Sequence, residues 1–441
     1  KALVGSVTYD EAANVGYPAL PMYVSRARAV IGSLKYKALY TGRMVSSWES
    51  KLYYNAIRHR MDDTGRDFVT MHMDMPGQTD TYGGYSAVAG AFKKHNCRAT
   101  LNSFYNRALA DMTMYPADIS ENPMYMLTWP DVRTLYNGIS LEDTYTINCH
   151  SSVKATAGTG MHRNTIASES GRQSLDIFYP GLPGSKSRIL NSASVTYSNS
   201  KFLDYSAGLG YGERAPSVSE GYGFYLFNSF DRYDYIGNPS LGKERSIEAN
   251  LSAALQKKKW SARLSAAGFR ISNYIIGRTD ASILPMTLGA SGVKRYVQLP
   301  YATILNIEGQ VSVALSPHFN ADGNAAWARG TDNENGNLPL ISPLRYRTAL
   351  TYKTSRFRAG ASLSGNAAQV HYAPAYGEDR TPSYMVANVD CGYSFDIEQC
   401  RVTMAAGIEN ITDAKYSTYS DWNNIPRKGR NVFFNLVCKI R

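Results

Sequence analysis

Residues 202–212 read Phe-Leu-Asp-Tyr-Ser-Ala-Gly-Leu-Gly-Tyr-Gly, and the stretch divides by parity. Leu203, Tyr205, Ala207, Leu209 and Tyr211 fall on one side of an extended chain; Asp204, Ser206, Gly208, Gly210 and Gly212 fall on the other. Because side chains alternate between the faces of a β-strand, this is a strand with one greasy face and one small, polar face. The same division recurs in 247–255, where Ile247, Ala249, Leu251, Ala253 and Leu255 oppose Glu248, Asn250 and Ser252. It recurs at the C-terminus, where Val432, Phe434, Leu436, Cys438 and Ile440 oppose Asn431, Asn435 and Lys439. Runs of about ten to thirteen residues are twice the usual strand length and match what a tilted strand needs to cross a bilayer.

Working outward, roughly seventeen such segments follow from the alternation: 24–37, 43–58, 79–92, 95–110, 140–149, 152–163, 187–198, 201–213, 244–255, 258–273, 300–314, 319–331, 344–352, 356–370, 384–395, 400–411 and 429–441. Their connections alternate in length. Short ones sit near Thr41-Gly42, Lys94-His95, Asn199-Ser200, Gln256-Lys257, Ser316-Pro317, Ser355 and Glu398-Gln399; long ones cover 59–78, 111–139, 164–186, 214–243, 274–299, 332–343, 371–383 and 412–428. A soluble sandwich has no reason to keep its long loops at one end, whereas an outer-membrane barrel has short periplasmic turns and long extracellular loops. A propeller would show a blade repeat of about 40 residues, and none is visible. The expected fold is therefore all-β, a transmembrane antiparallel β-barrel.

Composition agrees. The chain has 441 residues, 44% hydrophobic but only 19% charged, with 33 tyrosines and 36 glycines. A mean hydropathy of −0.33 and the lack of a long apolar run exclude helical membrane spans and say nothing against β-spans. The charge balance of 47 basic to 36 acidic residues gives +11, but basic positions are scattered and the longest run is Lys257-Lys258-Lys259, so no nucleic-acid partner is expected. Five cysteines, Cys97, Cys149, Cys391, Cys400 and Cys438, lack CxxC spacing and read as free thiols, with Cys391 and Cys438 acting as small hydrophobes on greasy faces. HExxH, GxSxG and P-loop spacings are missing, and no enzymatic activity and no resident cofactor are expected.

Two motifs narrow the family. Glu409-Asn410-Ile411-Thr412-Asp413 with Tyr416, then Pro426-Arg427-Lys428-Gly429-Arg430-Asn431 and a last alternating strand, resembles the C-terminal end of TonB-dependent outer-membrane receptors. Gly212-Glu213-Arg214-Ala215-Pro216-Ser217-Val218-Ser219-Glu220, followed by Gly237-Asn238-Pro239-Ser240-Leu241 and Glu244, is similar to a strand–loop–strand signature of the same family. Asn410, Asp413 and Asn238-Pro239 are turn formers, so these motifs are architectural. The resemblance implies localisation in the bacterial outer membrane, a barrel of 22 strands of which about 17 are recognised, and an N-terminal plug domain. Residues 1–441 are accordingly expected to be an incomplete receptor barrel without plug and first strands. The implied partners are the TonB energy-transducing complex, the receptor's own plug, outer-membrane lipid and lipopolysaccharide, with a surface lipoprotein as a further candidate.

The cargo is read from methionine. Met71 with Met73, Met112 with Met114, and Met124 with Met126 form Met-x-Met pairs, Met75 extends the first, and all are expected in two long extracellular loops. Residues i and i+2 of an extended chain share a face, which lines up Met71, Met73 and Met75 with His72 and Asp74 opposite. Thioether and imidazole donors select copper, particularly Cu(I), over hard cations. His59-Arg60-Met61 adds an imidazole and a thioether, and Met161-His162 is expected at the start of a third loop. His59-Arg60-Met61-Asp62, the Met-rich run and Thr79-Asp80-Thr81-Tyr82-Gly83-Gly84 are similar to TonB-dependent copper receptors, whose barrel supplies a His-x-Met pair; the resemblance implies His59 and Met61 as ligands. Met71, Met73 and Met75 are further metal candidates, and His72, Met112, Met114, Met124, Met126, Met161 and His162 form a secondary capture set. A ferric siderophore or haem is the alternative cargo, stacked on Tyr222, Phe224, Tyr225, Phe227, Tyr233 and Tyr235. A passive porin is the alternative of another class.

Overall fold

The alternation becomes ladders in the structure, a computed structural model that describes residues 1–441 apart from 18–21, 41–43, 67, 68, 70, 119 and 441. In chain order the strands are β1 (Ala2–Gly16), β2 (Tyr23–Leu39), β3 (Val45–Asp62), β4 (Met71–Phe92), β5 (His95–Pro116), β6 (Met124–Thr146), β7 (Ser151–Ile166), β8 (Ser185–Ser200), β9 (Asp204–Arg214), β10 (Leu226–Asn228), β11 (Tyr233–Ile236), β12 (Glu244–Gln256), β13 (Trp260–Thr279), β14 (Val293–Ala314), β15 (Phe319–Asp332), β16 (Arg345–Lys353), β17 (Phe357–Asn366), β18 (Tyr384–Ile397), β19 (Cys400–Glu409) and β20 (Asn431–Ile440). Among the described residues the α-helices are α1 (Glu169–Asp176) and α2 (Val218–Tyr222), with short 3-10 turns at Pro374–Tyr376 and Trp422–Asn424. All twenty strands belong to one sheet, and the pairings are antiparallel except for a short parallel contact of β11 with β14 at Asp234↔Val293.

Every segment expected from the alternation is a strand. The strands beyond that expectation are β1, whose alternation is broken by Val4 on the polar face and Glu11 on the apolar one, and the short β10 and β11 within the 214–243 loop. The Thr41-Gly42 turn and Arg441 lie outside the described residues. The greater difference is length. β4, β5 and β6 run for 22, 22 and 23 residues, about double a membrane crossing, so they continue far past the apolar band. Met71, Met73, Met75, Met112, Met114, Met124 and Met126 are therefore on strands and not in loops. The expectation of loops missed this because hydrophobic alternation fades where both faces leave lipid, while the backbone ladder continues.

The chain divides into two compact units. The first contains 1–196, 209–247 and 271–301, with β1–β7 as a continuous antiparallel meander and the long connections carrying α1 and α2. Its core is a cluster of Met112, Met114, Met126, Val132, Ile166, Leu175, Leu182, Tyr222, Phe224, Tyr225, Ile236 and Val293. α1 is started by Ser168, whose hydroxyl accepts from the Gly171 amide, and Gly171 lies flat on Pro130, where a Cβ would sit 2.2 Å from the proline ring. α2 is started by a reciprocal box in which the Ser217 hydroxyl accepts from the Glu220 amide and the Glu220 carboxylate accepts from the Ser217 amide.

The second unit contains 197–208, 248–270 and 302–441, with β15–β20 as a simple meander. Its C-terminal motif is architectural as expected. Asn410 and Asp413 take left-handed φ of 51° and 54°, the Asn410 side-chain Nδ2 donates to the Ala414 carbonyl, and the Asp413 carboxylate accepts from the Arg430 backbone amide. The cysteines need one correction. Cys400 and Cys438 form a disulfide between β19 and β20, with Cα atoms 6.2 Å apart, leaving Cys97, Cys149 and Cys391 free. Their separation of 38 residues carried no signal; only the register, with Cys400 opposite Ile440 and Val402 opposite Cys438, makes them neighbours.

Candidate soft-metal site

His59 and Met61 sit two apart on β3 and so share a face. Their partners on β4 are Gly77 and Met75. Met71, Met73 and Met75 share that face, and Met73 lies opposite Met114 of β5, which lies opposite Met124 of β6. One register step from Asp74↔Thr113, Met75 falls level with Met112, which pairs with Met126. Two rows of thioethers result: Met61–Met75–Met112–Met126 across β3 to β6, and Met73–Met114–Met124 across β4 to β6. Neighbours in such rows have Cβ atoms about 4.5–5.5 Å apart, within joint reach of long, flexible side chains.

Burial grades along the rows. Met112, Met114 and Met126 are buried, Met71, Met73 and Met75 are half-buried against the same cluster, and Met124 is exposed at the rim. The half-buried His59 ring is seated over Gly77, where a Cβ would come 2.5 Å from Cε1 and 2.9 Å from Nδ1. Burial lowers the His59 pKa from the ordinary imidazole value, favouring the neutral form that a metal needs. Among the described residues no three His, Cys, Asp or Glu side chains gather into a metal site, so the donors concentrated here are thioethers and one imidazole.

Other expected residues are directed elsewhere. His72 and Asp74 occupy the opposite face, as alternation requires. His72 Nδ1 is 3.0 Å from the Asp63 carboxylate, which also accepts from the Met73 amide, while Asp74 takes a bidentate pair from Arg60. Met161 and His162 are on β7 and not in a loop, and consecutive residues point to opposite faces: Met161 is exposed opposite Asn137, and His162 is buried opposite Tyr136, well below Met126 along β6. They do not join the methionine rows.

The aromatic set belongs partly to the same core. Tyr222, Phe224 and Tyr225 are buried in one cluster with Met112, Met114 and Met126, and Phe178 beyond α1 packs on Phe224 and Tyr225 at 6.1 and 6.2 Å between ring centroids. Tyr235 donates to Asp231 at 2.6 Å, and burial together with that carboxylate raises its pKa. Lys294, itself buried, lies 2.5 Å from Asp231 and 4.4 Å above the Tyr233 ring. Phe227 is half-buried on β10. Tyr222, Phe224, Tyr225 and Phe178 wall the methionine rows, while Tyr233 and Tyr235 pack around Lys294 and Asp231 within the loop. Gly77, Asp63, Leu175 of α1 and Phe178 beyond that helix were not legible in sequence: each acts through a cross-strand or tertiary contact, and only Gly77 had a signal, as a glycine inside a strand.

The fold and the alternation of faces define an outer-membrane β-barrel receptor. The family model "TonB dependent receptor-like, beta-barrel" matches residues 7–411, and the chain belongs to that family, whose members are outer-membrane transporters. Solved structures similar in fold include the copper transporter OprC, at TM-score 0.79 and 18% identity over 96% of this chain and 66% of OprC. The Serratia marcescens hemophore receptor HasR, in complex with its hemophore HasA and heme, matches at 0.70 and 14% identity over 98% of this chain and 68% of HasR. The FrpB iron transporter of Neisseria meningitidis matches at 0.68 and 13%, over 98% and 68%. The chain thus spans just under two thirds of OprC's length. No curated protein matches the sequence.

Proposed function

We propose that this chain forms the barrel of a TonB-coupled importer whose cargo is copper, as the ion or a copper complex. The observation that carries the reading is the gathering of His59, Met61 and both methionine rows on one face of β3–β6. Thioethers are neutral, polarisable donors, and they favour a soft monovalent ion over Fe(III), Mg(II) or Ca(II). In this reading Met124 and Met73 at the rim receive the ion, the buried methionines pass it along the rows by exchange of one sulfur for the next, and His59 with Met61 hold it most tightly. A plug domain would complete the coordination, and TonB acting on that plug would release the ion inward.

The likeness to OprC, a copper transporter, supports copper; the likenesses to HasR, a hemophore receptor, and FrpB, an iron transporter, point to haem and iron. The burial of Tyr222, Phe224 and Tyr225 weighs against an aromatic chelate, because those faces are already covered. The test is Cu(I) affinity of the full-length receptor, measured by competition with a chromogenic chelator, for the parent and for His59→Ala with Met61→Ala. Unchanged affinity in the double variant would sink the reading.

A further inference from the structure

β7 and β8 carry a group of buried polar atoms that the methionine rows do not use. Thr156 Oγ1 lies 2.7 Å from Ser194 Oγ, the Thr159 hydroxyl donates to the Asn191 side chain, and the Ile166 amide donates to the Gly184 carbonyl. Counting inward from these contacts sets Arg188 of β8 opposite His162 of β7, so their side chains share a face. Asn164, two residues on from His162, shares it too and accepts from Arg188 Nη1 at 3.1 Å. The Leu241 carbonyl, in the connection between β11 and β12, accepts from Arg188 Nη2 at 3.0 Å. Tyr222 arrives from α2. The Arg188 charge acts on both His162 and Tyr222, so the three side chains stand around one site.

Arg188, His162 and Tyr222 expose only 8%, 9% and 3% of their surface. Each seals a polar atom from solvent: Arg188 Nε, His162 Nδ1 and Tyr222 Oη, none with a hydrogen-bond partner among the described residues. Leaving one such atom unmet costs about 1–3 kcal/mol, and three around one site point to a shared partner. Charge decides its kind. Both bonds of the Arg188 guanidinium go to neutral oxygens, and among the described residues it meets no carboxylate. Glu213, Glu220 and Glu244, on the adjoining β9, α2 and β12, are held by Lys243 and Arg214. Lys186, two residues before Arg188 and on the same face, donates to the carbonyls of Pro239, Ser240 and Leu241 at 3.0, 2.9 and 3.1 Å. Those three bonds use every proton of its ammonium, so it adds positive field but no donor. A buried guanidinium without a counter-charge is expensive, and an anion removes that cost.

We propose that Arg188, His162 and Tyr222 bind one chloride ion. The Nε–H of Arg188, the hydroxyl of Tyr222 and the Nδ1–H tautomer of His162 supply donors from β8, α2 and β7. One negative charge balances Arg188. Phosphate or sulfate brings more oxygens than the site has free donors, and an organic carboxylate must carry the rest of its molecule into a space sealed from solvent. A water can meet the same atoms but leaves the guanidinium uncompensated. The ion would tie α2 and the β11–β12 connection to the wall formed by β7 and β8.

The test uses the full-length receptor, with bromide as an anomalous stand-in for chloride. Crystals of the parent grown in sodium bromide should show an anomalous peak at bonding distance from Arg188 Nε and Tyr222 Oη. In solution, replacing sodium gluconate by sodium bromide or chloride at constant ionic strength should raise the melting temperature with the logarithm of halide concentration. Tyr222→Phe keeps the ring, removes one donor to the ion, and should weaken halide binding about tenfold or more. Arg188→Met should abolish both the peak and the halide dependence; should it fail to fold, Tyr222→Phe carries the comparison. A parent without the bromide peak overturns the proposal whatever the variants do, since a water then fills the site. A peak or a halide response that persists unweakened in the folded variants marks an adventitious ion only and overturns it too.

Discussion

Adding one methyl group at Gly77 should weaken metal binding without touching a ligand. An alanine Cβ there would lie 2.5 Å from His59 Cε1, and ordinary contact begins at 3.4 Å, so the ring must retreat by about 0.9 Å (3.4 − 2.5). A metal–imidazole bond of about 2.0–2.1 Å tolerates roughly 0.2 Å, so that retreat moves the nitrogen out of bonding range or forces the metal to follow it away from Met61. Displacing a ligand through its support typically costs 10- to 100-fold in affinity, or about 1.4–2.7 kcal/mol. We therefore expect Gly77→Ala to weaken Cu(I) binding by that factor in chelator competition, approaching the value for His59→Ala. Gly32→Ala on β2, where a Cβ meets nothing within 4 Å, is the matched control and should bind as the parent does. If Gly77→Ala keeps parental affinity while His59→Ala loses it, the glycine seat is not what positions the imidazole. If neither variant changes affinity, His59 is no ligand.

Met112→Leu and Met114→Leu preserve volume, so each should cost less than about 1.5 kcal/mol of stability while lowering the number of Ag(I) ions bound in a titration. Lys294→Met strands the buried Asp231 carboxylate, a change worth about 3–5 kcal/mol, and should appear as faster hydrogen exchange over residues 226–236. Adding Asp231→Leu should restore most of that protection. Gly365→Ala in β17 would bring a Cβ to 2.1 Å from the Tyr384 carbonyl, a backbone atom of the next strand, and should lower thermal stability more than any exposed Gly→Ala change. Thiol titration of the unfolded, unreduced chain should count Cys97, Cys149 and Cys391 but not Cys400 or Cys438.

The barrel was legible because alternation is a local signal. Residues 202–212 reveal their two faces without help from any other strand, and so do the other segments. What failed were quantities set between strands. Cys400 and Cys438 became partners only through register, and the methionine segments looked like loops because their greasy face meets other methionines and rings instead of lipid. The same holds for the site. Sequence grouped His59 with Met61 and Met71 with Met73, pairs two residues apart, but could not say that Met75 falls between Met61 and Met112. It paired Met161 with His162, which adjacent strand positions direct apart. The arginines illustrate the same limit: Arg26, Arg28, Arg58, Arg60, Arg107 and Arg133 read as scattered charge, and the meander collects them on one side.

His59 and Met61 interleave with Arg58 and Arg60, so four consecutive residues write to both sides of one wall. A frame of two governs both messages, and deleting a single residue from this stretch of β3 would exchange them, turning guanidinium groups toward the thioethers and the imidazole toward the bilayer. Substitutions can tune either side independently. Length changes cannot, and variation in related chains should therefore enter β3 and β4 by replacement, with insertions and deletions confined to the connections beyond their ends.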